Sequence, residues 1–473
     1  MNKKHLVSII AIVALVAVLM TALVGCNKYE WKSVGAGQPD ATVESNGGYY
    51  VKQGDFVYFI NGYDTNTAVD NTFGTPVKNS IVRAKLNSDG TYSDAVVVVP
   101  KQIYNQNAEG GFAIFGEWIY YATPNNDSDK NGVASTTHTD FMRTKIDGTV
   151  TQLLATINSR SSQYLFTPTR ILFKESAGTV VNYIDFSAVD GSKSMDNGKG
   201  VTYGTFLENV ETVLWDYNSE YIYYTETVTG DLSYEFCNTL NAIKYDGTDK
   251  KVLADKYTYL TDGEKENYVD YFPTKVFSYT LVDMVVENDG VALYYNKANY
   301  VASQEEGRGL FVNKVAFGGD FDTATEKHLS KSTALSSVYA LGYNNGALVA
   351  TSAGKTYLVT GAESETTENI IIGRAVTIQY VLGDTVYYTD ATGGKLYSIS
   401  LTNYENEKVV LEAGIVTNWL KLEFVGSDMF FFDSADYNYL HKANLADADE
   451  TTMLGIMNDA DKAAKEEAEK DAE

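Results

Sequence analysis

Proline is scarce in this 473-residue chain, at 6 residues, and only two cysteines and four histidines occur. The cysteines are Cys26 and Cys237, so once Cys26 is committed to other chemistry no intramolecular disulfide can form. His5 lies in the leading segment 1–25, and His138, His328 and His441 stand far apart with no companions at ligand spacing, which reads as surface histidines rather than a metal site. Positive charge is also short: 37 Lys and Arg against 62 Asp and Glu give a net charge of −25. Such a field repels nucleic acid, anionic headgroups and anionic wall polymers, favours divalent cations or basic partners, and keeps the chain in solution. Catalytic signatures are missing too. No Gly-x-Ser-x-Gly occurs, Ser352-Ala353-Gly354-Lys355 falls in a hairpin turn rather than a helix, and Gly354-Lys355-Thr356 lacks the earlier glycine of a phosphate loop.

What is present begins at the N-terminus. Lys3 and Lys4 precede an apolar run from Leu6 to Leu23, broken only by Ser8 and Thr21, and the run ends at Leu23-Val24-Gly25-Cys26. Small residues before a cysteine suit a signal peptidase cleft, and the thiol is the group that takes a diacylglycerol. The pattern predicts a lipoprotein signal peptide over 1–25, lipidation at Cys26 and a position on the outer face of the cell membrane, the lipid anchor being the membrane contact. An ordinary signal peptide or an uncleaved anchor are the alternatives, and both export the rest of the chain. Removing residues 1–25 takes away two lysines and moves the net charge to about −27. Residues 26–45 are mixed polar and read as a tether, 46–457 as the folded domain, and 458–473 as an acidic tail, helical or disordered, that adds nothing to the core.

In the folded domain, short aromatic and β-branched runs recur between Gly, Asn and Asp turns, which is a strand signal with an internal period. The tight turn and aromatic strand are clearest at Gly54-Asp55-Phe56-Val57-Tyr58-Phe59, Gly116-Glu117-Trp118-Ile119-Tyr120-Tyr121, Ser219-Glu220-Tyr221-Ile222-Tyr223-Tyr224 and Gly383-Asp384-Thr385-Val386-Tyr387-Tyr388. Further copies begin at Asp289, Asn345 and Gly426, and a weaker one at Arg170. A third strand then leads to Asp89-Gly90, Asp147-Gly148 or Asp246-Gly247, read as two-residue hairpin turns. Eight four-stranded units with no helix between them predict an all-β fold, a single β-propeller of eight blades, with six or seven as alternatives and a pair of β-sandwiches as the competing architecture. Each small sheet is too thin to cover its own faces, so neighbouring blades bury them. That accounts for the paired tyrosines and for Val96-Val97-Val98-Val99.

Val386-Tyr387-Tyr388-Thr389-Asp390 and Ile222-Tyr223-Tyr224-Thr225-Glu226 resemble the Tyr-Trp-Thr-Asp repeat of low-density-lipoprotein-receptor-type propellers, with Tyr for Trp. The chain more closely resembles bacterial surface lipoproteins that carry such a propeller, in which Gly-Gly, Gly-Asp, Val-Tyr-Tyr, Arg and Asp-Gly recur. Those elements stand here at Gly47-Gly48, Gly54-Asp55, Val57-Tyr58-Phe59, Arg83 and Asp89-Gly90. The resemblance spans about residues 46–457 and implies the fold. Its motif residues are structural and imply no activity, and the receptor-type propellers have six blades against eight repeats here.

One motif carries metal chemistry. Asp127-Ser128-Asp129-Lys130-Asn131-Gly132 places oxygens at alternate positions before a turn glycine, as a calcium loop does. His138 stands where the closing Glu belongs, and Asp140 is the substitute. The expected set is therefore Asp127, Asp129, Asn131 and Asp140, with calcium the one cofactor in view and none required. Long loops follow the second strand in repeats one, two, four and five, and their Tyr63, Tyr234 and Tyr300 are candidates for stacking on a sugar. These features together predict a lipid-anchored, extracytoplasmic binding module for protein or glycan. An exported polysaccharide lyase or hydrolase is the alternative, and it would need paired carboxylates on the inner strands, where only Asp216 and Asp283 are read.

Overall fold

The computed structural model describes residues 35–64, 78–99, 101, 103, 111–124, 138–158, 162–175, 177–194, 198–229, 237–299, 307–331, 336–343, 348–352, 354–359, 370–390, 394–416 and 422–472. Cys26, Asp127, Asp129, Asn131, Tyr234 and Tyr300 lie outside them.

Each aromatic run is the second strand of a four-stranded antiparallel sheet, and these sheets follow one another along the chain. Blade 1 runs Tyr50–Gln53, Phe56–Ile60, Ile81–Leu86 and Tyr92–Val99, with Val43–Glu44 added inside its first strand. The first strands of blades 2 to 8 are Ala113–Phe115, Ser162–Phe166, Val210–Leu214, Phe277–Glu287, Ser336–Ala340, Thr377–Leu382 and Glu423–Val425. The weak repeat at Arg170 is the second strand of blade 3, Arg170–Glu175. Blades 7 and 8 are linked by a single bridge, Ile415 to Asp433, which leaves eight blades among the described residues. First strands of successive blades lie against one another in the pairs 1–2, 4–5, 5–6 and 6–7, so they surround the axis. Among the described residues strand accounts for 55% and helix for 8%, as an all-β fold requires.

The tyrosine pairs explain how thin sheets cohere. Consecutive side chains on a strand point to opposite faces. Tyr121 accordingly packs in the core shared by blades 1 and 2, and Tyr120 in the core shared by blades 2 and 3. Tyr224 and Tyr223 divide the same way between blade 3 and blade 5, and Tyr295 and Tyr294 between blade 4 and blade 6. All six are less than 2% exposed. At about 25 cal/mol per Å² of apolar area, and 150–250 Å² for each aromatic, every such ring contributes several kcal/mol toward holding neighbours together.

The ring closes without exchanging strands. Blade 8 places Phe430, Phe432 and Leu440 in the blade 1 core, and Phe430 stacks on Tyr50 with centroids 3.8 Å apart. The Glu423 carboxylate accepts the Tyr49 and Tyr50 backbone N–H groups at 2.7 and 2.9 Å. In return the Glu423 N–H donates to the Tyr49 hydroxyl, which donates to the Phe430 carbonyl. Glu423 sits so close that a Cβ on Gly48 would meet its Oε1 at 2.1 Å, which gives the Gly47-Gly48 element of the repeat a reason. Burial, opposed by the two backbone donors, pushes its carboxyl up to about 8.

The Asp-Gly turns differ from expectation. In each, the Gly N–H returns to the carbonyl three residues back, and only the Gly of the pair has positive φ. They are therefore longer hairpin loops built around an ordinary turn, with Gly in the left-handed position, not two-residue turns that need positive φ twice. Each Asp side chain fixes the loop by accepting from the following Thr backbone and hydroxyl.

Candidate functional site

Antiparallel order gives the ring two unlike faces. Turns between first and second and between third and fourth strands crowd one, here the turn face. Connections between second and third strands and between blades crowd the other, the loop face. The loop face carries the insert before blade 5, with helices Asp262–Lys265 and Tyr268–Lys275, and the C-terminal helix Asp459–Ala472. No side chain of that last helix enters a hydrophobic core, yet it is tied down: Asp461 accepts from the Tyr439 hydroxyl and pairs with Lys78, and Lys465 reaches Asp436. The chain enters on the opposite face. Arg83 donates to the Gly35 carbonyl, and the Gln38 amide donates to Asp55 in a turn between strands. Gly35 and Gln38, inside the stretch 26–45 read as a tether, are thus held against the propeller.

Several expected site residues are structural. Tyr63 is 3% exposed and packs on Phe432, because it is drawn under the rim of blade 1. His441 is no surface histidine; it is buried beside the Asp436 carboxylate, 3.1 Å away, and burial pushes its pKa down. His328 is half-buried, stacked on Phe311 with centroids 4.3 Å apart. Asp140 lies on the third strand of blade 2 and accepts from the Thr156 hydroxyl. No group of three or more His, Cys, Asp or Glu that could hold a metal occurs among the described residues. Ser352 and Lys355 end and begin adjacent strands of blade 6, with no helix between them.

The axial carboxylates are engaged by backbone. Asp283 accepts from the Ala340 N–H and Glu287 from the Tyr343 N–H, each reaching the next blade as Glu423 does. A second acidic centre, invisible in the sequence, is buried in blade 5. Glu326 accepts from Tyr259, Tyr295 and Lys297 at 2.6, 2.6 and 2.8 Å. The Lys297 ammonium lies 3.9 Å from the Phe311 centroid and 4.1 Å from that of Tyr259. Burial lowers the Lys297 pKa and Glu326 opposes the shift. Bonded at both oxygens, this centre pins the insert through Tyr259.

One of the concavities among the described residues lies at the axis. A cleft of about 290 Å³ is lined by Asn46, Gln163, Tyr164, Trp215, Asp216 and Tyr217, among others. Asp216 falls just past the strand Val210–Leu214 rather than on it. Its Oδ1 accepts from the Asn218 backbone and side chain and so shapes the bend that presents Trp215 and Tyr217. The Tyr217 hydroxyl accepts the Phe166 N–H at 3.2 Å. Its ring rests on Gly47, where a Cβ would stand 2.5 Å from it, and lies 6.3 Å from Phe115. Asn46 holds the opposite wall by exchanging two hydrogen bonds with the Ile114 backbone. Sequence reasoning singled out Asp216 and missed its neighbours, whose only signal was an aromatic on each side of it.

No protein-family model matches the chain, and no curated protein matches it in sequence. Among solved structures it is similar to AztD from Citrobacter koseri at 10% identity and TM-score 0.35, covering 84% of this chain and 93% of that one. It is also similar to puromycin hydrolase at 11% identity and TM-score 0.39, spanning 90% of this chain and 55% of the hydrolase. The nidogen/laminin complex is similar at 11% identity and TM-score 0.23, with 70% and 91% covered. At such scores the propeller assignment rests on the strand pairing of the chain itself.

Proposed function

We propose that the chain is a lipid-anchored recognition module on the outer side of a bacterial membrane, holding a protein or glycan partner away from the bilayer. The observation that supports this most directly is the polarity of the ring. The chain reaches the propeller on the turn face, at Gly35, only nine residues after Cys26. Nine residues span at most roughly 30 Å, so lipid on Cys26 would keep the turn face toward the membrane. The helical insert and the C-terminal helix then face outward, where binding residues on a rigid scaffold are most useful. The likeness of the repeats to receptor-type propellers of surface lipoproteins points the same way. Catalysis finds less support, since Asp283, Glu287 and Glu423 each serve a neighbouring backbone.

The test is orientation on vesicles. The lipidated chain, labelled with a donor dye at Ser88→Cys on the turn face or at Lys470→Cys on the loop face, is reconstituted with acceptor-labelled lipid. Energy transfer should be strong from position 88 and weak from position 470. The reverse order, or no vesicle association with Cys26 intact, refutes the reading.

A further inference from the structure

We infer that the axial cleft beside Trp215 is a binding site for a neutral carbohydrate, one that deepens and rests on the recognition role proposed above. Its chemistry narrows the ligand by elimination. Among the described residues no Lys or Arg lines the cleft, so these offer no cation to a phosphate or a carboxylate. Asp216 would repel either, and so would a chain of net charge −25. At about 290 Å³ it lies at the small end of the roughly 300–1,000 Å³ typical of ligand sites, room for a sugar unit or two.

The groups left over are of the kind that hydroxyls need. Among the described residues no partner is found for the Trp215 indole N–H, a donor, or for Asp216 Oδ2, an acceptor, because the Asn218 bonds both go to Oδ1. Asn46 uses one amide hydrogen and one lone pair on Ile114, leaving one of each. A hydroxyl both donates and accepts, and a pyranose also presents an apolar C–H face to a half-buried ring such as Trp215 or Tyr217. A quaternary ammonium would use the rings and the carboxylate but leave the indole N–H without purpose.

The site is also held still before any ligand arrives. Tyr217 is fixed by the Phe166 N–H and by Gly47, Asn46 by the Ile114 backbone, and Asp216 by Asn218. Walls from blades 3 and 4 and from the segment before blade 1 meet here, so the cleft depends on the closed ring. Such preorganisation lowers the entropic cost of binding a small polar ligand.

The full chain, purified in a detergent without a sugar headgroup, is titrated calorimetrically with cellotriose, chitotriose and maltotriose. Tetramethylammonium and a glucuronate trisaccharide serve as the cationic and anionic probes. At least one neutral trisaccharide should bind, and Trp215→Ala should weaken it tenfold or more. Because Trp215 also packs against the core between blades 3 and 4, Asp216→Asn is the second variant. It keeps the Oδ1 acceptor for Asn218 and replaces the free acceptor with a donor, and it too should weaken binding at an unchanged melting temperature. Binding of tetramethylammonium alone, of the glucuronate probe alone, or of no probe overturns the inference, as does trisaccharide binding untouched in Asp216→Asn. The vesicle orientation is measured separately from all these outcomes, so a failure here leaves the anchored-module reading standing and is told apart from a failure of that reading.

Discussion

Replacing Glu423 by Gln isolates the group that closes the ring. One carboxylate oxygen accepts both the Tyr49 and Tyr50 N–H groups, and a carboxamide oxygen can do the same. The substitution therefore keeps the latch and removes only its titration. Because burial raises the folded carboxyl from 4.5 to about 8, the protonated form is the one the fold prefers. Stability from this group is fully present below pH 4.5 and is lost as pH rises through 8. At about 1.4 kcal/mol per pH unit the whole gap is worth roughly 5 kcal/mol. The side chain keeps some contact with solvent, which cuts this to about 2–3 kcal/mol. For a domain of roughly 400 residues, with an unfolding entropy near 2.1 cal/mol/K per residue, each kcal/mol moves the melting temperature by about 1.2 °C. The assay is scanning calorimetry of both chains from pH 4 to pH 9. The melting temperature of wild type should fall relative to Glu423→Gln by about 3 °C between pH 5 and pH 8.5. All other titrating groups are common to the two chains and cancel. Parallel curves across that window, or a gap that widens toward acid, would refute the argument.

Gly48→Ala should push the carboxylate off its two donors, costing about 2–3 kcal/mol in chemical denaturation, and Glu423→Gln should add little in that background. Lys297→Met should destabilise by about 3–5 kcal/mol because Glu326 is left charged and buried. Adding Glu326→Gln should recover part of that loss, since the amide oxygen still accepts from Tyr259 and Tyr295. Cys26→Ser should abolish metabolic labelling by a palmitate analogue, and label retained by the variant would contradict lipidation there. If the Asp127 loop takes calcium, the ion should raise the melting temperature at roughly 0.1–1 mM. Asp129→Ala should remove that shift, and an equal shift with magnesium would mark general acidity instead.

The all-β class and the eight units are determined by local features of the sequence. An aromatic pair after a tight turn already states that a strand is buried on both faces, because alternation along a strand needs no distant partner. Tyr120-Tyr121 and Tyr223-Tyr224 could be assigned to opposite blade interfaces on that ground alone. Tertiary structure decided everything that depends on how the ring closes. Glu423 looks like any other acidic residue until it is brought to Tyr49, 374 positions earlier, and Gly48 looks like a turn glycine until that carboxylate lies on it. Tyr63 and His441 read as free polar residues and are buried, since a loop's composition does not say which side of a blade it folds under. Trp215, Asp216 and Tyr217 become a cleft only when Asn46 and Gln163 arrive from other segments. Strand pattern is written in neighbouring residues, whereas a site at the axis is assembled from chain ends and blade edges that only the closed ring brings together.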